Sequence, residues 1–339
     1  VSATVFVNGA NGHLGFNLAK SLLERGYKVR CSVRDPGNDA TVAHLAAAGL
    51  TDIVALDVTD GERFTQVCKG IDILFHVAAT YKYWTPTQAS VTQLLRDSTE
   101  GALNAVRAAA ANDVRKLVFT SSIVTLPLTD SPQNKVDETR WRTDLRVPYF
   151  RAKTEAERLA WDLSREAGLE MVAVLPAAII GPGFKRHTTS TMMVENIMRG
   201  AFRTGAPRLN FPAVDVRDVV EGHILAAESD VTGRFIICND EVMPLRNMIM
   251  VMHRIDRRIP KSWCSLPNSI LAFGTFFDWL NAKTLGTHRA LTSEFLGSVK
   301  GKWWAFSNER AKQALGWQQR ISLSQSLADT ISAIRELNS

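Results

Sequence analysis

Three glycines at three-residue spacing, Gly9, Gly12 and Gly15, constrain this chain more than any other feature. An apolar run (Val5, Phe6, Val7) precedes them and reads as a buried strand. A helical pattern follows, with Leu14, Leu18 and Leu22 on one face and Gly26 as its stop. Strand, glycine turn and helix together give such a motif meaning. One glycine permits a tight turn, one lets the backbone approach a pyrophosphate, and one lets helix and strand pack closely. The N–H groups at the helix start then face the phosphates. Gly9, Asn11, Gly12, His13, Leu14 and Gly15 are the candidate dinucleotide contacts. The spacing is GxxGxxG rather than GxGxxG, and three glycines alone also describe an ordinary strand-to-helix turn.

The chain beyond the turn decides between these. Strand patterns at Lys28–Arg34, Asp52–Asp57, Ile71–Ala79, Arg115–Thr120 and Met171–Pro176 alternate with helical ones at Thr41–Ala48, Gly61–Cys68, Gln88–Ala111 and Tyr149–Glu166. The strands are near-continuous apolar runs, which predicts a parallel sheet covered on both faces. The fold class is α/β: a Rossmann-type doubly wound parallel sheet with a smaller, helix-rich C-terminal substrate lobe. Gly181-Pro182-Gly183 breaks the pattern and a polar stretch follows. We therefore expect a dinucleotide-binding domain over 1–180 and mainly a substrate lobe over 181–339, with about 210–240 returning to the sheet through Gly233–Ile237.

The 339 residues carry a net charge of +6, but no run of five like charges, so nucleic acid is not an expected partner. The four cysteines show no CxxC spacing and the seven histidines no HExxH, so no metal site is expected. No signal peptide and no bilayer-length apolar stretch is visible, and a cytoplasmic location is the default expectation. The apolar, aromatic stretch at 269–285 is a packed helix by default, with substrate capping or peripheral membrane contact as alternatives.

Tyr149 and Lys153 stand four apart on one face of a helical pattern. A phenol with a pKa near about 10 is a poor acid or base at neutral pH. A neighbouring ammonium favours the phenolate and brings it into range. Upstream, Lys116–Thr120 ends in Ser121 and Ser122, which places hydroxyls at the carboxyl end of a parallel strand, where the glycine turn also lies. One serine of the two is expected only to cap the strand end.

These motifs, in this order, resemble the extended short-chain dehydrogenase/reductase family, in its dihydroflavonol-reductase-like branch. The resemblance rests on Val7–Gly15, Val29–Pro36, Phe75–Ala79, Val118–Ser122, Tyr149–Lys153, Val214–Val219 and Phe306–Trp317, and covers nearly the whole chain. It implies that Tyr149 donates a proton to a carbonyl oxygen, that Lys153 tunes it and holds the nicotinamide ribose, and that Ser122 hydrogen-bonds the same oxygen. It further implies Asp57 and Val58 near the adenine, Val77, Ala78 and Ala79 along the cofactor, and Pro176 and Ile179 beside the nicotinamide. Asn8 stands where the family usually has Thr, and Ala152 replaces a common Ser. Val147–Phe150 stands where the CoA-ester reductases of the branch carry a cysteine-containing motif, which argues against a CoA thioester.

Arg34 ends the second strand, where an acidic residue would mark NAD; a guanidinium suits the 2′-phosphate of NADP(H). Asp35 follows it, so NAD(H) stays open as the alternative. Tyr81, Tyr83 and Trp84 are candidate substrate contacts, with a self-packed surface loop as the other reading. The expected activity is NADPH-dependent reduction of a bulky aromatic or lipophilic ketone or aldehyde by a monomer or homodimer. A hydroxysteroid-type dehydrogenase, a nucleotide-sugar epimerase and a noncatalytic NADP-sensing protein are the alternatives.

Overall fold

The computed structural model describes residues 3–78, 85, 87–267 and 292–339. Ala79, Tyr81, Tyr83, Trp84 and the 269–285 stretch lie outside the described residues. The strands are β1 (Thr4–Asn8), β2 (Lys28–Val33), β3 (Asp52–Ala55), β4 (Ile73–His76), β5 (Lys116–Thr120), β6 (Met171–Pro176), β7 (Ala178–Ile180), β8 (Ala206–Pro207), β9 (Ala213–Asp215), β10 (Gly233–Ile237) and β11 (Ser265–Leu266). Seven of them form one parallel sheet in the order β3-β2-β1-β4-β5-β6-β10, as its apolar runs require. β7 pairs with β9 and β8 with β11 outside it.

The strand order reverses between β1 and β4, so the crevice beyond their carboxyl ends is where such a sheet accepts a ligand. Helices α1 (His13–Glu24), α2 (Asp39–Ala47), α3 (Gly61–Val67), α4 (Gln88–Ala111), α5 (Pro148–Glu166), α6 (Thr189–Met198) and α7 (Val216–Glu228) follow in chain order. α2 starts two residues before the periodicity suggests, because the Asn38 side chain caps it by accepting from the Ala40 N–H at 3.1 Å. β3 stops short of Asp57, whose carboxylate folds into a turn with Thr59. No helix among the described residues is long and apolar enough to cross a membrane.

Among the described residues, two apolar clusters form the core. The larger packs the sheet against α1, α4, α5 and α7, and it also takes in Trp304, Phe306 and Trp317 from the chain's last third. Trp317 is wholly buried and its indole donates to the Asp218 carbonyl at 2.9 Å. The smaller cluster joins Ile180, Val194, Ile197, Met248, Met252 and Ile331. It also seats Met193, Met198 and Phe202, while Met192 stays exposed.

Among the described residues three histidines are buried in the neutral form: burial pulls His13 down to about 4, His76 to about 3 and His223 to about 4. In the unfolded chain each takes up a proton near pH 6.5, which the folded chain refuses. Unfolding therefore binds protons below that pH, and stability present above about pH 6.5 is lost as the pH falls toward 4. Melting temperatures measured across that range are expected to fall steadily.

Candidate active site

β1 ends in a turn that only glycine permits. Gly9 has φ +70°, and a Cβ there would stand 2.9 Å from the Ala78 Cα. A Cβ on Gly15 would lie 2.3 Å from the Gly9 carbonyl oxygen, so α1 approaches the turn as closely as backbone allows. Gly12 caps α1 without a side-chain bond, and the first turn holds no acidic residue. The N–H groups at the positive end of the helix are thus left for an anion. A diphosphate suits this arrangement, in which N–H groups at a helix start are offered and no side chain bonds them. The His13 ring is held by other contacts: its Nε2 bonds the Pro182 carbonyl at 2.9 Å and it stands edge-on to Phe184 at 5.2 Å.

Asn8 clasps the two strands at the switch point. Its Oδ1 accepts from the N–H groups of Val77 at 2.8 Å and Ala78 at 2.7 Å, and its Nδ2 donates to His76 Nδ1 at 2.8 Å. His76 is neutral, and its ring stacks on Phe119 at 5.3 Å. Asn8 and His76 are both buried, so replacing Asn8 by Ala strands polar groups away from water. Asn8→Ala is expected to lose about 1–3 kcal/mol of stability in urea titration.

Arg34 and Asp57 stand just past the carboxyl ends of β2 and β3, both exposed. The N–H and the hydroxyl of Thr59 both donate to Asp57 Oδ1 and hold its carboxyl below the usual range, and Arg34 adds to this through space. Asp35 turns its Oδ1 to the Gly37 N–H at 3.0 Å, so its carboxylate serves its own turn. Val58 packs on Gly101 of α4, and Asn104 donates to the Val58 carbonyl at 3.0 Å.

α5 begins on Pro148, which is suited to a first helical turn, and buries Tyr149 and Lys153 one turn apart. Lys153 Nζ donates to the Thr120 carbonyl at the end of β5 at 2.9 Å and lies 5.8 Å from the Phe119 ring. Burial pushes the Lys153 ammonium down to about 8, with Glu157 pulling the other way. The two serines after β5 diverge. Ser121 donates to the Glu157 carboxylate at 2.5 Å. Ser122 accepts from the Val124 N–H at 3.3 Å, capping a short turn (Ile123–Thr125) that packs on α5. Its hydroxyl hydrogen is still available to donate. Pro176 lies at the end of β6 beside Ile237, and Ile179 pairs with Val214. The glycine turn, Val77, Ala78, the β5 end, Lys153 and Pro176 thus share the carboxyl edge of the sheet, with Arg34 and Asp57 along the same edge.

Residues 5–238 match the family model described as NAD dependent epimerase/dehydratase. Tetraketide alpha-pyrone reductase 1 of Arabidopsis thaliana is 31% identical over 258 residues, covering 72% of this chain and 78% of that protein. Dihydroflavonol 4-reductase of the same plant is 35% identical over 193 residues, covering 53% of this chain and 50% of that protein. Among solved structures, the yeast methylglyoxal/isovaleraldehyde reductase Gre2 complexed with NADPH superposes with a TM-score of 0.76 at 20% identity, covering 99% of both chains.

Proposed function

The chain belongs to the NAD dependent epimerase/dehydratase family, as an oxidoreductase of the dihydroflavonol-reductase-like extended short-chain dehydrogenases/reductases, and we propose that it is an NADPH-dependent carbonyl reductase. Its substrate in this reading is a ketone or aldehyde on a bulky aromatic or lipophilic molecule. The observation that carries the reading is Lys153, an ammonium buried one helical turn from Tyr149 and moored to the Thr120 carbonyl at the ligand edge of the sheet.

The turn from Gly9 to Gly15 would hold the diphosphate, Asp57 and Val58 the adenosine side, and Lys153 the nicotinamide ribose. Pro176 and Ile179 would flank the nicotinamide. When bound, the reduced cofactor supplies hydride for the carbonyl carbon. Tyr149 gives its phenolic proton to the carbonyl oxygen as charge develops there. Lys153 favours the resulting phenolate. The Ser122 hydroxyl donates to the same oxygen, a stabilisation that grows with its charge.

Arg34 supports NADPH over NADH. Its guanidinium matches a 2′-phosphate, and Asp35 is committed to its own turn. Arg34→Ser is expected to weaken NADPH binding by roughly 10- to 100-fold and NADH binding little, the worth of one charge-assisted contact. Titration of both cofactors against the variant measures it.

The substrate class draws support from the two Arabidopsis relatives described above, which are named as reductases of a dihydroflavonol and of a tetraketide pyrone. NADPH oxidation across a panel of aromatic and aliphatic ketones and aldehydes tests the proposal. Turnover of aromatic ketones above small aliphatic ones is the expected result. Tight NADPH binding with no turnover of any carbonyl would defeat it, and turnover of sugar nucleotides without net cofactor use would replace it with epimerisation.

A further inference from the structure

Tyr149, Lys153, Glu157 and Trp161 follow one another along α5 at four-residue steps and so share one face. Glu157 is wholly buried. Its Oε2 accepts from the Ser121 hydroxyl at 2.5 Å, and its Oε1 from Trp161 Nε1 at 3.3 Å and Arg234 Nε at 2.7 Å. Arg234 comes from β10 and lies over the Trp141 ring at 3.7 Å. Its other two nitrogens reach the carbonyls of Glu138 (2.7 Å) and Arg140 (2.8 Å), the Thr125 hydroxyl (2.8 Å) and Glu157 Oε2 (3.4 Å).

A buried ion pair is a weak source of stability, since apolar residues of the same volume often serve as well. This pair sits beneath the residues assigned to catalysis, and Lys153, Glu157 and Arg234 make a buried row of alternating charge. We propose that Glu157 and Arg234 are positioning residues for Lys153, Glu157 holding it as an ammonium inside the protein and Arg234 tempering that hold. The proposal rests on the reading of Lys153 as the partner of Tyr149.

The groups facing Lys153 define the balance. Its own helix presents Tyr149 and Glu157, β4 presents neutral His76, and β5 presents the Thr120 carbonyl and the Phe119 ring. Around Arg234 stand the Glu138 carboxylate, which accepts from the Ile236 N–H at 3.1 Å, Arg158 over Trp141 at 5.0 Å and Arg310 over Phe235 at 5.0 Å. Burial strips water from Lys153 and favours its neutral form, and Glu157 is the charge that opposes this. Arg234 offsets part of the Glu157 field, so the ammonium is kept without being locked.

The two charges therefore have opposite signs of effect. Titration of the apo protein, with lysine labelled by heavy nitrogen at Nζ and the Lys153 resonance assigned by its loss in Lys153→Met, reads the charge of Lys153 directly. Glu157→Gln is expected to lower its midpoint by about one pH unit, and Arg234→Met to raise it. The alkaline limb of carbonyl reduction should move the same way in each. A single variant strands a buried charge and can fail to fold. The double variant Glu157→Gln with Arg234→Met removes both charges, and its midpoint is expected below the native one, since Glu157 acts on Lys153 more strongly than Arg234 does. A native midpoint in Glu157→Gln, or in the double variant where the single one does not fold, overturns the proposal and leaves the network as a brace. Midpoints that shift as expected, with a kinetic limb that stays in place, uphold the network and count instead against Tyr149 and Lys153 as the catalytic pair.

Discussion

Tyr149→Phe is expected to lower kcat for carbonyl reduction by roughly 100- to 10,000-fold, the usual worth of a positioned general acid. The change removes one hydroxyl and leaves the ring. Tyr149 is buried in the first turn of α5, beside Phe150 in the same core, so the aromatic packing survives and the fold should hold. The glycine turn and Arg34 are untouched, and NADPH affinity is expected to stay within a few-fold of native. A loss confined to kcat marks an interaction made in the transition state, whereas a loss confined to KM marks ordinary binding. Single-turnover reduction, with NADPH binding measured alongside, separates the two. A variant as fast as the native enzyme would remove Tyr149 from the mechanism.

Gly15→Ala is expected to be nearly as damaging, by a different route. The new Cβ would meet the Gly9 carbonyl oxygen at 2.3 Å, its carbon at 2.9 Å and the Ala10 Cα at 3.0 Å. All three are backbone atoms, which cannot swing aside as a flexible side chain does. Either α1 withdraws or the turn opens, and overpacking of this kind costs about 1–3 kcal/mol. Both responses move the N–H groups at the start of α1 away from a diphosphate. Cofactor affinity should therefore fall by more than the loss of stability alone would explain. Thermal unfolding and cofactor titration of the same variant give the two numbers, and native cofactor affinity with lowered stability would place the diphosphate elsewhere.

The sheet was legible because its signals are local. β1 and β5 are runs of apolar residues, α5 carries its buried face at regular steps, and Gly9 occupies a turn at φ +70° that other residues resist. The serines show where legibility stops. Ser121 and Ser122 are adjacent and chemically alike, yet one bonds Glu157 and the other caps a turn. Successive residues of an extended chain point to opposite faces, and only the packed sheet says which face meets α5. The His13 ring turns to Pro182, 169 residues away, a contact that no local pattern announces.

What the sequence by itself determined was the strands and helices of the central sheet and the placing of Tyr149 and Lys153 one turn apart on one helix, because helix and strand periods and glycine's conformational freedom act over a few residues. Tertiary structure decided the rest. Asn8, a departure from the expected Thr, became intelligible only when β4 lay beside β1 and brought His76, 68 residues away, within a hydrogen bond. Arg234 reaches Glu157 across 77 residues because β10 is added at the sheet edge beside β6. Such contacts depend on strand order and register. These are settled by burying the whole sheet at once, and no short stretch of sequence carries them.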